Sequence, residues 1–145
     1  MGRYYQGDIE GKFWFAVQDS RDAVNFGGNE IEIFEECEEG EAEVMGSTFI
    51  FEKEDLPDIQ SGLDEATEAL GDKLEKLDDF FKVRAGYNYA ELNDHLGFKD
   101  KAEDLMFGNG KVKDCLVLYA RICLGRQIKE CVETKGRCEF IADFY

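Results

Sequence analysis

The five cysteines are the first residues in this sequence that could do chemistry, because thiolates bind metals and act as nucleophiles. Three of them, Cys115, Cys123 and Cys131, recur every eight residues in a segment with helical periodicity. Eight residues of helix rise about 12 Å, so these three cannot bind one ion. The sequence has no CxxC pair, and no cysteine lies near its single histidine, His95. The pattern predicts buried structural thiols, with no metal and no cofactor.

Acidic residues could instead bind calcium or catalyse hydrolysis. With Asp19 as position 1, Glu30 falls at position 12 of an EF-hand loop, but basic and apolar residues occupy positions that need oxygen ligands or glycine. Asp8 and Glu10 share a predicted strand face with Trp14, an arrangement that glycosidases use, but nothing else in the sequence supports a sugar site. No nucleophile motif such as GxSxG occurs. The sequence therefore predicts a protein that is not an enzyme.

The segment "GNGK", before the last predicted helix, could bind an anion. Backbone N–H groups at a helix N-terminus are suited to a phosphate. However, the segment lacks the upstream glycine and the following Ser or Thr of a P-loop. A simple loop between helices explains the same residues. The alternative prediction, a small-molecule or nucleotide (anion) binding site, uses Gly108, Gly110, Lys111, Lys113 and Arg121.

An early group of strands must position the acidic residues. Alternating apolar residues predict a strand over 7–18, and a short helical connector follows over 19–28. Two more strands are predicted over 30–37 and 42–53. We expect these two to form a hairpin, with Gly46 marking a bulge.

The second part of the chain has helical periodicity. Apolar residues three and four apart predict a helix over 57–84, shorter helices between 88 and 107, and a long helix over 111–134. Alternation in 137–145 predicts a terminal strand. This order predicts one α+β domain over residues 1–145. Its mostly antiparallel sheet would have about four strands, three N-terminal and one C-terminal, packed with two long helices and shorter helices.

Composition and charge limit the classes of partner. With 43% hydrophobic residues and 12 phenylalanines among 145 residues, the chain can fold around one core despite its net charge of −16. Residues 1–98 contain 25 acidic and 8 basic side chains, whereas residues 99–145 contain 8 and 9. Such a charge disfavours direct binding to nucleic acid or to a membrane and favours a basic protein partner.

The chain start "MGRYYQ" and the cysteine pattern predict the compartment. The first residues lack the apolar core of a signal peptide, and Gln6 stands where a myristoylation signal has Ser or Thr. No apolar run approaches membrane-spanning length. An odd number of cysteines in apolar segments is typical of free thiols in a reducing cytoplasm. Aromatic residues near both ends of the chain would allow a homodimer.

The densest acidic segment has eight glutamates in the fourteen positions 30–43. They could simply protect a sheet edge and keep the protein soluble. Edge protection does not require eight charges, however, and the 57–84 helix adds Asp64, Glu68, Asp72, Glu75 and Asp79. Carboxylates on one face of a strand repeat at about 6.8 Å, which is comparable to the spacing of phosphates along a nucleic acid strand.

The function predicted from these features is an acidic protein-interaction module that imitates nucleic-acid phosphates and occupies the basic surface of a nucleic-acid-binding protein. Small acidic inhibitors from viruses and mobile elements act in this way, an analogy that rests on charge and size. The predicted partner-binding residues are Glu30, Glu32, Glu35, Glu36, Glu38, Glu39, Glu41, Glu43 and Trp14.

Overall fold

The sheet is antiparallel throughout its described strands, which lie in the order β2-β1-β5-β4-β3. The structure is a computed structural model that describes residues 4–12, 18, 21–36, 42–82, 89–98 and 111–143. The strands are β1 (Tyr4–Gly7), β2 (Gly11–Lys12), β3 (Asn29–Glu36), β4 (Ala42–Glu52) and β5 (Arg137–Asp143). The C-terminal strand β5 lies in the middle of the sheet, between β1 and β4. The predicted α+β class is therefore confirmed.

Four α-helices accompany the sheet in the described ranges. They are α1 (Leu56–Leu70), α2 (Lys73–Lys82), α3 (Tyr89–Leu96) and α4 (Lys111–Lys135). Two 3-10 helices, Asp22–Phe26 and Lys53–Asp55, connect strands and helices. The long helix α4 agrees with the predicted 111–134 helix, and α3 confirms a short helix after residue 88. The predicted helical segment 99–107 lies outside the described residues.

The single helix predicted over 57–84 is divided in two. Gly71 has φ of +58°, a left-handed conformation that favours glycine and ends α1. Its N–H donates to the carbonyl of Thr67 (2.9 Å), and α2 begins two residues later. The apolar spacing continues across the break, because both helices bury residues in the same core, including Leu70 and Leu77.

The strand predicted over 7–18 is also different in the structure. The chain forms β1, which ends at Gly7, and then β2 at Gly11–Lys12, with a turn between them. Residues 13–17 lie outside the described part. Gly7 and Gly11 have φ of +126° and +121°, which allows the chain to reverse between the two strands. Asp8 therefore lies in a turn and not on a strand.

The predicted hairpin is confirmed by the pairing of β3 with β4. A register shift lies between Ile33 and Phe34, opposite Gly46 and Val44, in agreement with the predicted bulge. On β4, Phe49 is fully buried and packs against Phe140 of β5 with ring centroids 5.7 Å apart. The helices cover this face of the sheet.

The register of β3 places Glu30 and Glu32 on the helix side of the sheet. Glu30 pairs with Phe49 and Glu32 with Ser47, both of which are buried on that side. Ile31 pairs with Thr48 on the other face and is 56% exposed. This reverses the usual apolar-inward alternation. It is possible because β3 is an edge strand, where Glu30 finds polar partners and Glu32 is exposed.

Candidate functional site

A row of exposed carboxylates follows α1 and α2. Residues three and four apart lie on one face of a helix, which brings together Asp64 and Glu68 on α1, and Glu75 and Asp79 on α2. Glu65 extends the first group. The row is Asp64, Glu65, Glu68, Asp72, Glu75 and Asp79, and Asp58 in the first turn of α1 is also exposed.

Few of these acids have a polar partner among the described residues. Asp64 accepts a hydrogen bond from Gln60 (2.8 Å), and Asp72 lies 3.8 Å from the ammonium of Lys73. No described cation pairs with Glu65, Glu68, Glu75 or Asp79. Like charges one helical turn apart repel each other, so this surface carries a cost in stability of a few tenths of a kcal/mol per pair.

The hairpin glutamates differ from one another in their surroundings. Arg21 donates to both carboxylate oxygens of Glu30, and Ser47 Oγ donates to Oε2 at 2.7 Å. Burial opposes the effect, but these hydrogen bonds keep the pKa of Glu30 below its ordinary value. Glu32 is exposed. Glu30 therefore has a structural role. Of the two β3 glutamates whose side chains are described, Glu32 is the one exposed to a partner.

The remaining predicted partner-binding residues are not described in side-chain detail. Glu35 and Glu36 contribute backbone to β3, and Glu43 contributes backbone to β4. The positions outside the described residues are Trp14, Glu38, Glu39 and Glu41. Gly108 and Gly110 of the predicted anion site also lie outside them.

Four of the six cations of α4 contact a carboxylate. Arg121 Nε donates to Asp22 Oδ1 at 2.8 Å, and Arg126 forms a two-point contact with Asp78 at 2.9 and 3.1 Å. Lys129 lies 3.8 Å from Glu133, while Lys135 lies 3.5 Å from Asp8. Lys111 is exposed near the ring of Phe98 and Lys113 is half-buried. The predicted anion site thus retains its two lysines, but Arg121 is engaged elsewhere.

A buried polar network surrounds Asp22. Gln18 Nε2 donates to Asp22 Oδ2 and to the carbonyl of Ala120, both at 3.1 Å. The hydroxyl of Tyr5 donates to Gln18 Oε1 at 3.0 Å. With the Arg121 contact, these bonds connect β1, the 3-10 helix and α4. Because the buried carboxylate of Asp22 has a cation and hydrogen-bond donors beside it, a structural role accounts for its burial.

A second polar cluster lies near the C-terminal end of α4. The donor atoms of Asp8, Cys131 and Cys138 all lie within 4.8 Å of one another. Cys138 on β5 is fully buried and Cys131 on α4 is half-buried. Two soft sulfur ligands and one carboxylate form a donor set that can bind a divalent metal.

Hydrogen bonds hold the carboxylate of this cluster. The backbone N–H of Glu139 donates to Asp8 Oδ2 at 2.9 Å and keeps the pKa of Asp8 below its ordinary value, against a smaller opposing effect of burial. Lys135 Nζ lies 3.5 Å from Oδ1. Burial, followed by contact with Cys131, raises the pKa of the Cys138 thiol.

The interpretation of the cysteines as buried structural thiols did not bring Cys131 and Cys138 together with Asp8. Cys131 and Cys138 are seven residues apart, on either side of the turn at Gly136, which has φ of +82°. A helix followed at once by a returning strand brings such residues together, and this spacing was the available signal. Asp8 could not be added from sequence, because its turn reaches the cluster through the pairing of β1 with β5.

Comparisons of the chain with protein-family models, curated proteins and solved structures give no match. None of the described helices combines the length and the hydropathy required to cross a membrane. The functional conclusion therefore depends on the surfaces and clusters described above.

Proposed function

We propose that this chain is a non-enzymatic acidic module that binds a basic protein surface of the kind presented by nucleic-acid-binding proteins. One observation carries the proposal: within the part of the chain that the structure describes, most exposed acids of α1 and α2 have no cation beside them, whereas most cations of α4 contact a carboxylate. The exposed carboxylates of α1 and α2 have few polar partners among the described residues. Four cations of α4, in contrast, each lie against a carboxylate.

The geometry of the carboxylates suits a basic partner. Acids four apart on a helix are about 6 Å apart along the axis, so α1 and α2 present charge at regular intervals. Unpaired, exposed charges steer a partner of opposite sign and fix its orientation. The regular spacing of these carboxylates supports the proposal that they imitate the phosphates of a nucleic acid strand. The proposed consequence is that the partner protein can no longer bind nucleic acid.

The structure changes the emphasis within the proposed surface. Sequence alone favoured the hairpin glutamates, but Glu30 is bound by Arg21 and Ser47. We therefore assign the main contribution to the α1–α2 acids, with Glu32 as an additional contact.

The test is capture of partners from a lysate on the immobilised chain, followed by elution with a salt gradient. Three variants are compared with the original chain. The helix variant carries Glu65→Gln, Glu68→Gln, Glu75→Gln and Asp79→Asn. The matched control neutralises four exposed acids elsewhere, Glu54→Gln, Asp94→Asn, Asp114→Asn and Glu130→Gln. A hairpin variant carries Glu32→Gln, Glu35→Gln, Glu36→Gln and Glu43→Gln.

We expect the original chain and the matched control to retain a basic protein. The helix variant should not retain it. Added duplex DNA or RNA should release the captured protein, because nucleic acid would compete for the same basic surface. Equal retention by the helix variant and the control would contradict the assignment to α1 and α2. Loss only in the hairpin variant would move the binding surface to the hairpin.

A further inference from the structure

Three separate parts of the chain contribute donor atoms to the cluster near the end of α4. Asp8 comes from the turn between β1 and β2, Cys131 from α4 and Cys138 from β5. At Gly136 the chain leaves α4 and turns into β5. The N–H of Gly136 donates to the carbonyl of Val132 at 2.8 Å. The cluster is therefore built by the tertiary fold and not by one flexible segment.

Backbone hydrogen bonds fix the position of the carboxylate. The N–H of Asp8 donates to the carbonyl of Glu139 at 2.9 Å, and the N–H of Glu139 donates back to Asp8 Oδ2 at 2.9 Å. A metal-binding carboxylate is typically oriented by such a second hydrogen bond. Oδ1 contacts Lys135 only at 3.5 Å, so an ion can compete for this oxygen.

The distances are close to those of a metal centre. Sulfur ligands about 2.3 Å from a tetrahedral zinc ion are about 3.8 Å from each other. The donor atoms here lie within 4.8 Å, so small rotations of the side chains would bring them to that separation. The exposed Asp8 and the half-buried Cys131 lie at the surface end of the cluster, which gives an ion a route of entry.

An adjoining cavity leaves room for a fourth ligand. It has a volume of about 310 Å³ and is lined in part by Asp8, Gln127, Glu130 and Cys131. A water molecule or the Glu130 carboxylate could complete the coordination from this side. Three protein ligands with one open position are a recognised form of zinc coordination.

We propose that Asp8, Cys131 and Cys138 bind one divalent metal ion, with Zn²⁺ the best match to two sulfur ligands and one oxygen ligand. On binding, the two thiols release their protons to solvent and Lys135 gives up its contact with Oδ1. The ion joins the β1–β2 turn, α4 and β5. A disulfide between the two sulfurs would leave the oriented carboxylate without a role, and the burial of Cys138 hinders exchange with a partner thiol.

The test is titration of the reduced full-length chain with Co²⁺, which replaces Zn²⁺ and absorbs visibly. One equivalent should produce sulfur-to-cobalt charge transfer and the visible bands of tetrahedral cobalt, and Zn²⁺ should displace it. Cys131→Ser and Cys138→Ser should each abolish the charge-transfer signal of a two-sulfur site, and Asp8→Asn should weaken binding at least about tenfold. Circular dichroism of each variant establishes that it is folded.

Cys123→Ser is the matched control, because Cys123 is also a half-buried cysteine of α4 but lies outside the cluster. It should bind one equivalent with unchanged affinity. A reduced chain without sulfur-to-cobalt absorption, or a Cys131→Ser variant that binds as before, would overturn the proposal. A different pair of results would also overturn it: the reduced chain binds no metal, and in a separate sample mild oxidation forms a disulfide between Cys131 and Cys138, detected by peptide mass spectrometry. Unchanged affinity in Asp8→Asn would overturn the three-ligand assignment.

Discussion

Two polar clusters connect α4 to the N-terminal part of the chain, and they differ in how their carboxylate is satisfied. Asp22 accepts from Gln18 and from Arg121, and the guanidinium lies 2.8 Å away. Asp8 accepts from one backbone N–H, lies 3.5 Å from a lysine and faces two thiols. The first cluster is complete without a ligand. The second brings together one carboxylate, two thiols that can lose a proton and the ammonium of Lys135.

The difference shows that the pairing of charges is more informative than their number. A carboxylate with a close cation and several donors stabilises the fold, as Asp22 does. A carboxylate or thiol without such partners can interact with an ion or another molecule. The same criterion separates the paired cations of α4 from the exposed acids of α1 and α2.

The largest expected effect is loss of the Asp22 carboxylate. Asp22→Ala should lower the free energy of unfolding by about 3 kcal/mol, because it removes the carboxylate that pairs with Arg121 and one of the two acceptors of the Gln18 amide. Asp8→Ala in metal-free buffer should cost less than about 1 kcal/mol, because the Asp8 pair is exposed. Urea unfolding of both variants measures the contrast, and equal losses would remove the distinction between the clusters.

Metal should selectively stabilise the Asp8 cluster. At a free Zn²⁺ concentration of 100 times Kd, the free energy of unfolding should rise by about 2.7 kcal/mol. The measurement is thermal unfolding of the reduced chain with Zn²⁺ and with a chelator. Cys131→Ser should abolish the difference, whereas Tyr5→Phe should retain it. A rise of the same size in Cys131→Ser would show that the ion binds elsewhere.

Tyr5→Phe tests the other cluster with a smaller change. Removal of the hydroxyl takes a hydrogen bond from the buried Gln18 and should cost about 1–2 kcal/mol in urea unfolding. Metal affinity should not change, because Tyr5 contributes no atom to the Asp8 cluster. Reduced Co²⁺ binding in this variant would mean that the two clusters are coupled.

The smallest expected effect is on the titration of Asp8 in metal-free protein. Its pKa in the folded chain lies below the ordinary 3.8, mainly because of the Glu139 N–H. Because the pKa is lower in the folded chain, ionised Asp8 stabilises the fold at pH values above 3.8. This stabilisation is lost as the pH falls through the folded pKa. Lys135→Gln should raise the Asp8 pKa slightly in a carbon-13 NMR titration. An Asp8 pKa above the ordinary value would contradict the assigned hydrogen bond.

Regular periodicity made much of the fold predictable. The long apolar pattern of α4 and the alternation in β5 each match the observed elements, and the β3–β4 hairpin follows from two strands around a short turn. The break at Gly71 was harder to predict, because the apolar spacing continues through it. The strand predicted over 7–18 was wrong at its start, since alternation alone did not reveal the reversal of the chain between Gly7 and Gly11.

The candidate sites were less predictable than the fold. The exposed acids of α1 and α2 follow from helical spacing, so their exposure could be expected. The pairing of Glu30 with Arg21 could not, because it depends on how the chain turns through the 3-10 helix and returns along β3. The Asp8 cluster depends on contacts between residues more than 120 positions apart, as the bond from Glu139 shows.

The most direct test of the central claim is zero-length crosslinking of the captured complex, which joins carboxylates to lysines in contact. Mass spectrometry of the crosslinked peptides then identifies the acids that touch the basic partner. We expect crosslinks from Glu65, Glu68, Glu75 and Asp79, with an additional one from Glu32. Crosslinks confined to other acids, such as Glu54, Asp94 or Glu130, would contradict the assignment of α1 and α2 as the binding surface.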